Sequence, residues 1–288
     1  GANVTTSTTQ TYTGAVTLSG GANTTLTGST IQFGSTVAGG TEDLKVDGIM
    51  DLNGAMTNVA ILEITGASDI GANISTTGKQ TYTGAVTLSG AARTLTATNN
   101  SAVLFSSTIN GTQDLTVATG GLTTFDGLVG NTAILGAIDI SGAGGLDLDA
   151  AIALANGTAG AASLDVNGAT NLGANVVTTN TQTYTGATTV SVDTTLTTTN
   201  SNVTFTGALD ADSTERDLTI NTGGTTGTIL MSSVVGQTNE FDAIAITGNL
   251  DLDANIGADN FGTKGATSIS VSGTSNLGAS VTTSGTQT

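Results

Sequence analysis

The sequence predicts an all-β chain wound as a parallel β-helix (β-solenoid) with coils of about 20 residues. Three observations predict it. A motif recurs: Gln10-Thr11-Tyr12-Thr13-Gly14-Ala15-Val16-Thr17-Leu18 returns unchanged over 80–88, and as Gln182-Thr183-Tyr184-Thr185-Gly186-Ala187-Thr188-Thr189-Val190. Each unit of such a chain buries its apolar face only against its neighbours. Apolar residues alternate with polar ones along the whole chain, a period of two that puts one set inside and the other outside. Finally, proline is absent from all 288 residues. Proline removes a ladder donor and is kept out of central strands, so a chain with nearly every segment in a sheet has reason to avoid it.

The units follow in order. A lead-in, Gly1-Ala2-Asn3, Gly71-Ala72-Asn73, Gly173-Ala174-Asn175 and Gly278-Ala279-Ser280, opens each one. This gives units 1–70, 71–172 and 173–277, with a fourth begun at 278–288 and periods of 70, 102 and 105 (71−1, 173−71, 278−173). One continuous solenoid over 1–288 is expected, cut from a longer protein. The first unit is the shortest, as a solenoid that has lost whole coils would be. Within units, the strand signals are short triplets: Leu44-Lys45-Val46, Leu62-Glu63-Ile64, Leu115-Thr116-Val117, Ile138-Asp139-Ile140, Leu146-Asp147-Leu148 and Leu164-Asp165-Val166. Leu218-Thr219-Ile220, Ile244-Ala245-Ile246, Leu250-Asp251-Leu252 and Ile269-Ser270-Val271 continue them. Asn53-Gly54, Asn110-Gly111, Asn156-Gly157, Asn167-Gly168, Asp47-Gly48 and Asp126-Gly127 mark turns.

Spacing separates a solenoid from hairpins, which Asn-Gly also favours. The interval from Leu44 to Leu62 equals that from Leu146 to Leu164 (62−44 = 164−146 = 18), and Ile269 follows Ile244 at a somewhat longer one (269−244 = 25). These are return distances of coils. Phe33, Phe105 and Phe205 follow Tyr12, Tyr82 and Tyr184 at similar intervals (33−12 = 21, 105−82 = 23, 205−184 = 21), about one coil. Each Phe shares parity with an aliphatic residue, which favours core packing over a sugar-stacking stripe. A row of immunoglobulin-like sandwiches is the structural rival. It would ordinarily carry a core Trp or paired Cys, and the chain has neither.

Composition excludes several functions. Net charge is −17, and the five basic residues, Lys45, Lys79, Arg93, Arg216 and Lys264, are isolated. Nucleic-acid binding needs clustered cations, and so does docking on anionic membrane. No apolar run approaches the roughly 20 residues of a membrane span. His is absent, which removes the usual general acid–base group.

Carboxylates remain. Asp147 with Asp149, and Asp251 with Asp253, stand two apart in Leu-Asp-Leu-Asp. Such pairs could hydrolyse glycosides, but a catalytic site is not expected to recur in equivalent places of successive units, so no enzyme is expected. Asp147, Asp149, Asp251, Asp253 and Asp259 are candidate calcium ligands through their oxygens, against the simpler reading of solvated charge that keeps the surface soluble. Thr11-Tyr12-Thr13 and Thr25-Leu26-Thr27 are similar to the Thr-x-Thr arrays of ice-binding solenoids, but lack recurrence in every coil.

The run Thr-Tyr-Thr-Gly-Ala-Val-Thr-Leu, then x-Thr-Leu-Thr, Ile-x-Phe and Asp-Leu-x-Val is carried by 11–18, 25–27, 31–33 and 43–46, again by 81–88, 94–96, 103–105 and 114–117, and ends at 217–220. It resembles the repeat region of giant filamentous-haemagglutinin-like bacterial adhesins. The resemblance implies a right-handed parallel β-helix, carried outside a Gram-negative cell and serving attachment, aggregation or biofilm. The expected role is a structural shaft or filament segment, with self-association into fibres or bundles as the expected partnership. A module binding host or neighbouring-cell glycans or receptors is the alternative; an ice-binding solenoid and a polysaccharide-degrading β-helix are remote ones.

Overall fold

A computed structural model describes residues 2–21, 23–224, 226–257 and 265–288. The chain divides into two compact units, Gly1–Gly145 and Leu146–Thr288. Every element among the described residues is a β-strand.

In the first unit, one coil runs through the strand Leu44–Leu52, bent into two segments, 44–46 and 50–52, and the strand Met56–Val59, which together form three faces. The next coil, Leu62–Ile64, Ser68–Ile70 and Ile74–Thr76, lies on it in parallel register. Leu44 pairs with Leu62, Val46 with Ile64, Met50 with Ser68, Leu52 with Ile70, and Met56 with Ile74. Gln80–Tyr82 and Val86–Leu88 then take the first two faces. Alternation decides which side chains point in: Leu44, Val46, Met50, Leu52, Leu62 and Ile64 are buried, while Lys45 and Glu63 face out. Each such aliphatic contributes about 1.5–3 kcal/mol on burial, and the ladder exists only because the neighbouring coil covers it.

The second unit repeats the three-faced coil on its own. Thr170–Leu172, Val176–Val177 and Gln182–Tyr184 are followed by Thr188–Val190, Thr194–Thr197 and Val203–Phe205, again parallel and in register. Among the described residues, strand pairs with strand in parallel throughout both units, and the hairpin sandwich is thereby set aside. The turn at Asn156-Gly157 joins the antiparallel bridge Ala153–Ala159.

Coil length varies, from the short return of Leu44 to Leu62 to the longer one of Leu209 to Val235. Leu44–Leu62 and Ile244–Ile269 are register partners, as their spacings predict. Leu146–Leu164 is not such a pair. Leu146 pairs instead with Thr170, and Leu164 lies on another face opposite Gln182. The added loop around Asn156-Gly157 lengthens this coil, so equal spacing there arises from unequal parts.

Two predicted turns lie inside strands. Asn110-Gly111 ends Ile109–Gly111, and Asp47-Gly48 sits within the strand Leu44–Leu52. That strand turns from one face to the next at Gly48, whose φ is 150° and where a Cβ would come 2.0 Å from the Gly28 carbonyl oxygen.

Candidate functional site

The recurring Gln-x-Tyr motif places its large side chains inside the coil. Gln80 and Tyr82 occupy alternate positions of one strand, so both point inward and both are fully buried. The Gln80 amide Nε2 donates to the Thr96 carbonyl of the following coil at 2.8 Å and to Thr76 Oγ1 at 3.2 Å. Its Oε1 accepts the Tyr82 hydroxyl at 2.8 Å. Gln182 donates to the Thr197 carbonyl at 2.9 Å and accepts Tyr184 at 3.1 Å. Gln10 donates to the Thr27 carbonyl at 2.7 Å and accepts Tyr12 at 2.8 Å. Burial pushes the Tyr82 and Tyr184 phenols above the usual tyrosine range, and Tyr12, half-buried, shifts the same way.

The rings continue the column. Tyr82 pairs in register with Phe105, and the two rings stack with centroids 4.9 Å apart. Tyr184 and Phe205 stack at 5.1 Å, Tyr12 and Phe33 at 5.5 Å. All three Phe side chains are buried. The Tyr-to-Phe spacing is therefore one coil, and the aromatics are core.

The rest of the motif joins coil to coil. Asn3, Asn73 and Asn175 of the lead-in each accept, through Oδ1, a backbone N–H of the next coil, from Thr25, Thr94 and Thr195 at 2.9, 3.0 and 2.7 Å. Gly84 and Gly186 stand at tight corners, where a Cβ would lie 2.3 Å from Gly66 and Gly168 of the preceding coil. Gly14, the same motif position in the first unit, has nothing within 4 Å. The neighbouring coil, rather than the local bend, demands the glycine.

The motif does not return to one face. From Gln10–Tyr12 to Gln80–Tyr82 the described residues pass through eleven strand positions, three to a coil, so the second copy lands one face short of a full turn. Gln10–Tyr12 accordingly heads the column of Ile31–Phe33, Met50–Leu52 and Ser68–Ile70, whereas Gln80–Tyr82 lies on that of Leu62–Ile64 and Val103–Phe105. Among the described residues of the second unit, Gln182 to Gln287 spans fourteen positions, isolated bridges included, again one short of a full turn. The two spans differ by three positions (14−11), which is one coil.

The acidic candidates lie outside. Asp147 Oδ1 accepts the Asn171 amide of the next coil at 2.8 Å, and Asp251 Oδ1 accepts that of Asn276 at 2.8 Å. The strands end at Leu148 and Leu252, which leaves Asp149 and Asp253 exposed in the turns that follow. Asp259 lies outside the described residues. Each mid-strand carboxylate thus takes an amide donor from the next coil as a partner. Among the described residues, no three or more His, Cys, Asp or Glu gather where one ion could be held.

The threonine pairs make no array. Thr25 and Thr27 are followed on the next coil by Lys45 and Asp47, and Lys45 is tied to Glu63 at 2.6 Å. Among the described residues, no helix is long and apolar enough to cross a membrane.

The Gln–Tyr pair was readable in the sequence, since Gln80 has the parity of the inward Tyr82. Buried glutamine runs against the usual preference of that residue for the surface, and parity was the signal that could have found it. Comparison with protein-family models, with curated proteins and with solved structures found no match.

Proposed function

We propose that this chain is a shaft segment of a secreted bacterial surface adhesin, a passive β-solenoid spacer acting in attachment, cell–cell aggregation or biofilm. One observation carries the reading: the large side chains that the motif repeats, Gln80, Tyr82, Val86 and Leu88 and their equivalents in the third copy, are turned inward, only short threonines repeat outward, and within each unit the two copies stand on different faces. A binding surface selected in every unit would recur outward and on one side. Here the recurrent side chains hold coil to coil, which is the requirement of a structural element.

The outer residues agree. Thr, Ser and Asn dominate, few charges must be desolvated on lateral contact, and self-association into fibres or bundles follows from that surface. An extracellular place at a Gram-negative cell surface rests on the resemblance of the repeats to haemagglutinin-like adhesins. Glycan-array binding tests the reading: a passive shaft binds no glycan specifically. Reproducible, saturable binding of one glycan class would replace the shaft with a recognition module. Negative-stain images of the parent assembly would show filaments if the shaft reading holds, and separate beads if it fails.

A further inference from the structure

We propose that Asn156 is a site of spontaneous deamidation, the one of the four Asn-Gly pairs at which the backbone has room to react, and that Thr158 promotes the step by donating to the amide oxygen of Asn156.

In this reaction the backbone nitrogen of the following residue attacks the side-chain carbonyl carbon of the asparagine. The N–Cγ bond forms, the Cγ–Nδ2 bond breaks, and ammonia leaves with the proton that the backbone nitrogen gives up. Water then opens the cyclic imide. Cleavage at Cγ leaves aspartate. Cleavage at the main-chain carbonyl carbon leaves isoaspartate, whose chain runs on through Cγ. Water enters and ammonia leaves, and neither oxidant nor cofactor takes part. Glycine favours the step because it has no side chain to shield the nitrogen or to restrict the backbone rotation that ring closure demands.

The sequence holds Asn-Gly at Asn53, Asn110, Asn156 and Asn167, and the fold treats them differently. Asn53 is tied through its backbone N–H to the Phe33 carbonyl at 2.9 Å and through Nδ2 to Asp51 at 2.7 Å. A Cβ at Gly54 would lie 2.2 Å from the Ser35 carbonyl carbon. Asn110 and Gly111 are ladder residues, in register with Thr87 and Leu88. The Gly168 carbonyl oxygen lies 2.3 Å from where a Cβ on Gly186 would stand. At each of these the backbone would have to turn against a neighbouring coil. A Cβ at Gly157 would meet nothing within 4 Å, and Asn156, Gly157 and Thr158 are all exposed.

The same loop supplies the chemistry. Asn156 Oδ1 accepts the Thr158 backbone N–H at 3.1 Å and the Thr158 hydroxyl at 2.7 Å. Attack at Cγ puts negative charge on that oxygen, and two donors already aimed at it stabilise the charge as an oxyanion hole does. The Gly157 N–H donates to the Leu154 carbonyl at 2.8 Å, and the Leu154 N–H to the Thr158 carbonyl at 2.8 Å. The nitrogen must leave the first of these bonds to react, and an exposed hairpin tip held by two such bonds opens at low cost. Residues 154–158 bulge out between Ile152, bridged to Val176, and Ala161, bridged to Thr178. The longer isoaspartyl backbone is therefore taken up in the loop and leaves both bridges in place.

Incubation of the full chain at mildly alkaline pH, then proteolysis and mass spectrometry, tests the assignment. The peptide carrying Asn156 should gain the mass that separates an acid from an amide well before those carrying Asn53, Asn110 or Asn167. It should resolve into an aspartyl and an isoaspartyl form, the second a substrate for an isoaspartyl methyltransferase. Thr158→Val keeps the backbone donor, removes the hydroxyl and should slow the gain about three- to tenfold, the worth of one hydrogen bond. Thr158→Ser should keep the original rate. Asn156→Gln, whose longer side chain closes its ring far more slowly, should abolish the reaction at this position and leave the other three pairs unchanged. The aged chain should melt where the fresh chain does. Earlier conversion at Asn53, Asn110 or Asn167, an unchanged rate in Thr158→Val, or a melting temperature that falls in step with conversion at Asn156 overturns the proposal.

Discussion

Replacing Gln80 tests whether the internal clamp holds the coils. Leucine has nearly the volume of glutamine, so Gln80→Leu leaves packing within about 1 kcal/mol. What it removes is polar satisfaction. The Tyr82 hydroxyl loses its acceptor at 2.8 Å and the Thr96 carbonyl loses its donor at 2.8 Å, both at a residue with no exposed surface. A buried polar group left without a partner costs about 1–3 kcal/mol, so the local loss should be about 2–5 kcal/mol. Tyr82→Phe alone strands the Gln80 Oε1 and should cost about 1–3 kcal/mol. In the Gln80→Leu background the same change removes a hydroxyl that has already lost its acceptor and should cost nearly nothing, a coupling of about 1–3 kcal/mol. Solenoids open locally, so the assay is native-state hydrogen exchange at the amides of 74–98 rather than a single melting temperature. Additive single-mutant losses, or no loss in Gln80→Leu, would refute the clamp.

The buried phenols predict alkaline weakness. Their folded pKa values lie above the unfolded value near 10, so the unfolded chain loses protons first and stability falls as pH rises past that value, by about 1.4 kcal/mol per pH unit per tyrosine. Chemical melts from pH 9 upward should show this slope, and Tyr82→Phe with Tyr184→Phe should flatten it. Gly84→Ala, with its Cβ 2.3 Å from the Gly66 backbone, should cost several kcal/mol, while Gly14→Ala, with open space around it, should be neutral or gain about 0.4–1 kcal/mol; a thermal-melt comparison decides. Chelator should leave the melting temperature unchanged, because Asp147 and Asp251 are already engaged by Asn amides. Deleting 62–79, one whole coil, brings Gln80–Tyr82 onto Leu44–Val46 and should leave a folded chain, whereas deleting only 62–67 should not, as shown by circular dichroism and protease resistance.

Much of the fold was legible because alternation is local. Whether Leu44, Val46, Leu62 or Ile64 points inward follows from parity alone, and the Tyr–Phe spacing gave a coil because every intervening corner is of ordinary length. Leu146–Leu164 shows where that reasoning stops. Its spacing equals that of Leu44–Leu62, but a spacing means one coil only if the corners between are ordinary, and the loop around Asn156-Gly157 is not. Face assignment is a sum over all the corners, so one irregular corner shifts every strand after it. The Gln clamp escaped for another reason. Its partners Thr76 and Thr96 stand on two different coils, and the second bond forms to a carbonyl, which leaves no mark in the side-chain pattern.

The one-face offset explains why the unit lengths are unequal in the way they are. Each part of the motif looks along the coil axis to a different neighbour: Gly84 to the preceding coil, Asn73 and Gln80 to the following one. Those partners sit at fixed faces, so a unit can change length without disturbing its joints only by a multiple of three strand positions. Eleven and fourteen satisfy this, and both leave the same remainder. Residue count is free to wander, since loops such as that at 154–158 add residues without adding a face. Strand count is held by the contacts, and the contacts are what the sequence repeats. A chain under that constraint can gain or lose whole coils while every joint stays intact, which is what the proposed spacer role requires.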